Sequence, residues 1–169
     1  MTRPTLTSVD FGLLESLERN GRQSFATLAT EHGLSKTPCW NRVQAMEEAG
    51  VIRGYRADID PAALGLSVIA HVQVAIDASQ RDAFEAAVMD DAAILECHSI
   101  AGDADYLFKI ACRDVEALDD LLRDRLTLLP GVTRTRTTIS LKAIKPPAPL
   151  SRAVRHAGAT AKHRTGLRR

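Results

Sequence analysis

The hydrophobic period of this chain changes once, near residue 60, and that change restricts the fold more than any other feature. Before it, Val9, Leu13, Leu14 and Leu17 recur at helical spacing. After it, Val68, Ala70, Val72, Val74 and Ile76 alternate with Ile69, His71, Gln73 and Ala75, the period of a strand with two distinct faces. One period cannot serve as the other, so the chain reads as two units of different class.

The first unit reads as three helices. The first runs from about Ser8 to Arg19 and stops at Asn20-Gly21. The second starts after Ser24, carries Phe25, Leu28 and Ala29 on its apolar side, and closes at Gly33. Ser35 is a good N-cap for the third, which runs from Lys36 to Ala49 with Pro38 in its first turn, where a missing N–H costs little. A short Gly-containing turn between the second and third helices describes a helix-turn-helix. Cys39, Val43 and Met46 are spaced to face the core. Lys36, Thr37, Trp40, Asn41 and Gln44 are left on the opposite side, and these are side chains suited to phosphates and base edges. Trp40 stands out, because a large aromatic is seldom offered to water without a partner. Arg22 and Arg53 are phosphate candidates. Arg42 has two readings: it reaches a phosphate, or it pairs with a carboxylate such as Glu15 or Glu47.

A strand-like stretch, Arg53 to Ile59, leads to the turn Asp60-Pro61 and the second unit. Its first strand is followed by a helix with Ser79 as cap and Phe84, Ala87 and Val88 on its apolar side. Strands are expected from Ile94 to Ile100 and from Tyr106 to Cys112, joined by the turn Ala101-Gly102-Asp103-Ala104. Asp114 caps a second helix with a stripe of Leu118, Leu121, Leu122, Leu126 and Leu129, and Pro130-Gly131 stops it. A last strand spans Val132 to Ile144, with Arg136, Thr138, Ser140 and Lys142 on one face. The order is β-α-β-β-α-β, the ferredoxin-like pattern, in which two helices cover one sheet face. The other face keeps groups such as His71, Gln73, Arg136 and Thr138, and a half-covered sheet calls for a second copy or a ligand, so a dimer is expected.

Charge follows this organisation. Residues 1–60 are net −1, residues 61–144 net −5, and residues 145–169 net +7 with no acidic side chain. Pro146-Pro147-Ala148-Pro149 separates that basic tail, which reads as an unstructured extension carrying Arg152, Arg155, Lys162, Arg164, Arg168 and Arg169. The three cysteines, Cys39, Cys97 and Cys112, are odd in number and form no CxxC pair, so neither a disulfide framework nor a zinc site is expected. His71, His98, Cys97 and Cys112 match no metal-ligand spacing. Val68 to Ile76 is far shorter than the ~20 apolar residues of a membrane span, and no secretory signal is visible. A cytoplasmic protein without a cofactor is expected.

Three segments carry a resemblance. The first comprises Gly21-Arg22, Leu28-Ala29, Leu34-Ser35-Lys-Thr-Pro-Cys-Trp-Asn-Arg42-Val43 and Glu47-Glu48-Ala-Gly50-Val51-Ile52. The second is Glu96-Cys-His-Ser-Ile-Ala-Gly102-Asp-Ala-Asp105-Tyr106-Leu-Phe-Lys. The third is Leu129-Pro130-Gly131-Val132 followed by Thr135-Arg136-Thr137. In this order and spacing, over roughly residues 8 to 145, the chain resembles the Lrp/AsnC family of transcription regulators. Trp40 stands where an aliphatic residue is more usual, and the tail after Pro146 lies outside the family pattern.

The resemblance implies a winged helix-turn-helix domain over residues 1–60 with its connecting strand. It implies an effector-sensing and oligomerising (RAM) domain over residues 61–145. Double-stranded DNA would meet Ser35, Lys36, Thr37, Trp40, Asn41, Arg42, Gln44, Arg22 and Arg53. A small effector, an amino acid in most such proteins, would bind between dimers at Ile100, Ala101, Gly102, Asp103, Asp105 and Tyr106, with Thr135 and Thr137 completing the pocket. Dimers would stack into tetramers or octamers. Two other functions fit the same architecture: a tetrapyrrole decarboxylase using His71, His98 and Arg136, and an architectural protein that wraps DNA without a ligand.

Overall fold

The structure, a computed structural model, describes residues 5–145 and 147–154. The described residues divide into two compact units, residues 5–57 with 145 and 147–154, and Asp58–Ile144.

The first unit is built on α1 (Ser8–Arg19), α2 (Phe25–Glu31) and α3 (Lys36–Glu48). Thr7 and Asp10 form a reciprocal capping box at the start of α1. Ser24 caps α2 by accepting from the Thr27 amide. Gly33, at φ +65°, makes the turn into α3 in the left-handed region that favours glycine. Ser35 holds the N-cap position of α3, but its hydroxyl makes no capping bond. Leu13, Leu28, Ala29, Cys39, Val43 and Met46 form the buried core, so the inward face of α3 is the one its spacing predicts.

Two segments of this unit differ from the sequence expectation. Arg53 to Ile59 forms no strand, because no neighbouring strand offers it a ladder. Tyr55 fixes the segment instead. Its ring lies against Gly21, where an added Cβ would come within 3.1 Å, and its hydroxyl donates to Glu47 Oε1 at 2.7 Å. Residues 150–154, expected to be unstructured, are helical. Their first amides, Leu150 and Ser151, donate to the Glu18 carboxylate at 2.6 and 3.1 Å, and the buried Ser151 hydroxyl donates to it at 2.6 Å. An acidic acceptor at a helix N-terminus satisfies donors that the helix itself leaves open. The rest of the expected unstructured tail, residues 155–169, lies outside the described residues.

The second unit is a four-stranded antiparallel sheet, β1 (Val68–Ile76), β2 (Ile94–Ser99), β3 (Tyr106–Cys112) and β4 (Val132–Ser140), in the order β2-β3-β1-β4. Two helices, α4 (Arg81–Asp90) and α5 (Val115–Asp124), cover one face. That face buries Ala70, Val72, Val74, Tyr106, Phe108 and Ile110 against Phe84, Val88 and Leu118. Phe84 stacks on Phe108 with ring centroids 5.9 Å apart and tilts against Tyr106 at 4.7 Å. Asp77 rather than Ser79 makes the cap before α4: it accepts from the Ser79 amide and starts a short 3-10 turn, Ala78–Gln80. β4 ends at Ser140 instead of Ile144; Ser140 pairs with Ile69, one residue from the start of β1, so β1 could pair with at most one residue beyond it.

Candidate nucleic-acid interface and effector site

Lys36, Thr37, Trp40 and Asn41 lie together on the solvent side of α3, and Trp40 is 48% exposed. Gln44 continues the row and donates to Glu48 one turn on. The packing of Cys39, Val43 and Met46 fixes which way this face points. It presents one cation, three polar groups able to donate or accept, and one aromatic plane. Side chains of these types can meet phosphates and base edges, and they are not buried in the unit itself. Ser35 stands exposed at the head of the helix. Arg22 and Arg53 are exposed outside it.

Arg42 takes the second of its two readings, with a partner that sequence spacing did not single out. Its Nη1 donates to Asp10 Oδ1 at 2.8 Å, tying α3 to the first turn of α1. Asp10 Oδ2 accepts from the Thr7 amide at 2.7 Å and the Thr7 hydroxyl at 2.6 Å. Burial pushes the Asp10 carboxyl up, but the hydrogen bonds from Thr7 and Arg42 outweigh it and hold the group below the ordinary carboxylate range. Sequence reasoning missed Thr7 and Asp10, although the Thr-x-x-Asp spacing before an apolar run is itself a capping-box signal.

At the end of the sheet, the loop between β2 and β3 is pinned at its base. The Ile100 amide donates to the Asp105 carbonyl at 2.9 Å, and the Asp105 amide donates to the Val74 carbonyl at 3.0 Å. Asp105 Oδ2 accepts from the Ile76 amide at 2.9 Å. Its carboxylate is thus part of the loop's foundation. The tip, Ala101, Gly102 and Asp103, is exposed. Arg134 Nη2 donates to the Asp103 carbonyl at 2.6 Å. Beside the tip, on the face without helices, Gln73, Ala75, Asp103, Ala104, Arg134 and Arg136 line a small cavity of about 90 Å³.

The predicted effector residues do not all meet there. Tyr106 turns into the helix-covered core, where its hydroxyl donates to Glu85. Burial, then that bond, pushes the phenol above its usual pKa. Thr135 and Thr137 pair across from Val74 and Val72 and so share the covered face, while Arg134 and Arg136 occupy the open one. The strand period separates them. The open face also carries His71, opposite Thr138 and Lys109, and His98, opposite Leu107. Glu96 on β2 is held below the ordinary carboxylate range, chiefly by its hydrogen bond from Lys109 at 2.8 Å. Among the described residues no group of three or more His, Cys, Asp or Glu is placed to hold a metal ion, and no helix is long and apolar enough to cross a membrane.

A helix-turn-helix with a free polar face, joined to an open-faced βαββαβ sheet with a pinned loop, defines the class: a DNA-binding regulator with a separate ligand-binding unit. A winged helix-turn-helix DNA-binding family model matches residues 6–53, and the Lrp/AsnC ligand binding domain model matches residues 67–150. The chain belongs to the Lrp/AsnC family of transcription regulators. It is 38% identical over 143 residues to the leucine-responsive regulatory protein of Escherichia coli K12, covering 83% of this chain and 87% of that one. The leucine-responsive regulatory protein of Haemophilus influenzae matches at the same identity and covers 83% and 86%. Among solved structures, a transcriptional regulator of Neisseria meningitidis in complex with L-Met superposes with a TM-score of 0.83 at 31% identity, over 86% of this chain and 96% of that one. Escherichia coli AsnC superposes with a TM-score of 0.80 at 27% identity, over 86% and 98%.

Proposed function

We propose that this regulator answers to an amino acid bound at the Ile100–Tyr106 loop, and that copies of the chain joined through the sheet domain carry the response to DNA. The observation that carries the effector reading is the loop itself: rigid at its base through Asp105, exposed at its tip, and flanked by two guanidinium groups. An amino acid needs donors for its α-carboxylate and an acceptor for its α-ammonium. Arg136 and the tip amides supply the first, and the Asp103 carboxylate the second. A cavity of about 90 Å³ is too small to enclose most amino acids, so a second copy seated near the tip completes the site. The L-Met complex of the Neisseria relative supports the ligand class.

On the DNA side, Lys36 and Thr37 meet the groove edge, Asn41 reads a base, and Trp40 lies on an apolar edge such as a thymine methyl. Arg22, Arg53 and Ser35 touch phosphates, and Gln44 is the last member of the row. Arg42 contributes by holding α3 against α1. The uncovered sheet face serves assembly into dimers and higher oligomers, and the protein works in the cytoplasm on the nucleoid.

The test is a thermal-shift screen of the full chain against the twenty amino acids. A ligand at 100 times its dissociation constant adds about 2.7 kcal/mol to the native state. One amino acid should raise the midpoint in the wild type and fail to do so in Asp103→Ala and Arg136→Gln. A hit that persists undiminished in both variants would place the effector elsewhere.

A further inference from the structure

The chain passes between its two units twice. It leaves the helix-turn-helix unit at Ala57 and enters the sheet unit at Asp58. After Ile144 it returns, and Lys145 with residues 147–154 groups with the first unit. The return is fastened. The Glu18 carboxylate, in the last turn of α1, accepts from the amides of Leu150 and Ser151 at 2.6 and 3.1 Å and from the Ser151 hydroxyl at 2.6 Å. Ser151 is 5% exposed, so water competes little for these bonds.

Only residues 145–149 separate the end of the sheet unit from this clasp. A segment of that length spans roughly 20 Å at most. Pro147 and Pro149 within it have fixed φ, which leaves it little slack. The outgoing segment is fastened at the same end of α1: the Tyr55 ring lies against Gly21, just beyond that helix. A body joined by a single flexible linker swivels in every direction. Joined at two points, it keeps mainly the rotation about the line between them, a hinge.

We propose that residues 147–154 are a strap: clasped by Glu18, they tether the helix-turn-helix unit to the sheet unit a second time, restrict it to a hinge motion, and so pre-orient α3 for DNA. The strap itself stands on contacts within the first unit and on the path of the chain, and its use rests on the DNA-binding reading of α3. A restrained recognition helix has less freedom to lose on meeting a duplex.

The test uses the full-length chain and two variants that open the clasp from opposite sides. Glu18→Ala removes the acceptor. Ser151→Asp leaves α1 untouched and sets a second carboxylate against Glu18. Hydrogen exchange at the amides of positions 150 and 151 should speed up in both. Trp40, the single tryptophan, lies on α3, so its time-resolved fluorescence anisotropy follows the motion of the helix-turn-helix unit. The nanosecond component of its decay should gain amplitude in both variants. On a duplex that the wild type selects from a randomised pool, both should bind roughly two- to tenfold more weakly, although Glu18→Ala removes a negative charge. Both should still select the same sequences.

Unchanged exchange at the two amides would mean that Glu18 holds no clasp and would overturn the proposal. Freed amides with a Trp40 decay that superimposes on the wild type would overturn it too, because the clasp would then restrain only the returning segment. So would a faster decay with affinity unchanged or raised in Glu18→Ala, because the restraint would then do nothing for DNA binding. If the wild type itself selects no duplex, the failure lies with the α3 reading, and exchange and anisotropy still decide whether the strap restrains the unit.

Discussion

The two units are held together in opposite ways. The sheet unit is closed by rings: Phe84, Tyr106 and Phe108 meet under α4. The helix-turn-helix unit has no aromatic side chain among its buried core residues. It is closed by polar clasps: Thr7 and Asp10 with Arg42, Tyr55 with Glu47, and Glu18 with Ser151. A small aliphatic core orients three helices but cannot stabilise them strongly, so hydrogen bonds across helix ends carry more of the load. Because those clasps sit at helix ends and edges, the outer face of α3 is left exposed. In the sheet unit the same division is made between two faces, one filled with apolar side chains and one left polar.

The largest effect expected from this contrast comes from Phe108, which is fully buried. Phe108→Ala should cost the sheet unit about 3–5 kcal/mol. Trp40, the single tryptophan, lies in the other unit and reports on it alone. In urea, the midpoint read by far-UV circular dichroism should fall while the Trp40 fluorescence midpoint holds. If both fall together, the units unfold as one and the contrast is wrong.

Gly131 tests the corner that feeds β4. It sits at φ +72°, and a Cβ there would lie 2.5 Å from Gln80 Cβ, a backbone-near atom that cannot swing away. Its carbonyl also accepts from the Asp77 amide at 2.8 Å, so the two chain segments cannot simply part. Gly131→Ala should cost roughly 2–3 kcal/mol, again in the sheet unit only, by the same pair of probes.

Much of this architecture was legible because apolar period maps directly onto element type. The three helices, the face of Cys39, Val43 and Met46, and the βαββαβ order all followed from it. What escaped were pairings between groups distant in sequence. Spacing leaves Arg42 open to a phosphate or to a carboxylate such as Glu15 or Glu47, and the crossing of α1 and α3 brings Asp10 to it. Arg53 to Ile59 looked like a strand, yet a strand exists only with a ladder partner, and Tyr55 found a carboxylate instead. The proposed effector group shows the same limit. A loop and a strand adjacent in the family pattern put Thr135 and Thr137 on one side of the sheet and Asp103 beside Arg134 and Arg136 on the other. Residues 150–154 carried only weak signals, a proline and a serine near a helix start, because their partner Glu18 lies more than a hundred residues earlier.

The Asp10–Arg42 clasp gives a smaller, pH-dependent effect in the other unit. Arg42→Ala leaves a largely buried carboxylate with Thr7 alone and should cost about 1–3 kcal/mol at pH 7. A carboxyl depressed in the folded state adds stability above its unfolded pKa of about 3.9 and loses it as pH falls through the folded value. The gap between wild type and Arg42→Ala, read by Trp40 fluorescence in urea, should therefore be full at pH 7 and close as the pH drops below about 4. A gap that does not change with pH would mean that Arg42 acts through packing of its stem and not through charge.

The smallest effect belongs to Tyr55, and its pH dependence runs the other way. Burial, then the hydrogen bond to Glu47 and that carboxylate's charge, push the phenol up to about 12. A group raised in the folded state contributes fully below its unfolded pKa of about 10, and that contribution is lost as pH rises toward the folded value. Tyr55→Phe keeps the ring against Gly21 and removes only the donated bond, so about 1 kcal/mol is expected near pH 8. Denaturant midpoints of the two chains should differ at pH 8 and converge by pH 11. Between those limits the wild type should lose more stability than the variant, because only its unfolded state gains a tyrosinate at position 55. Converging midpoints would establish the bond to Glu47 as the clasp that takes the place of the missing strand. Midpoints that already coincide at pH 8 would assign Tyr55 to the ring packing instead, and would leave the Asp10–Arg42 and Glu18–Ser151 contacts as the polar closures of the DNA-binding unit.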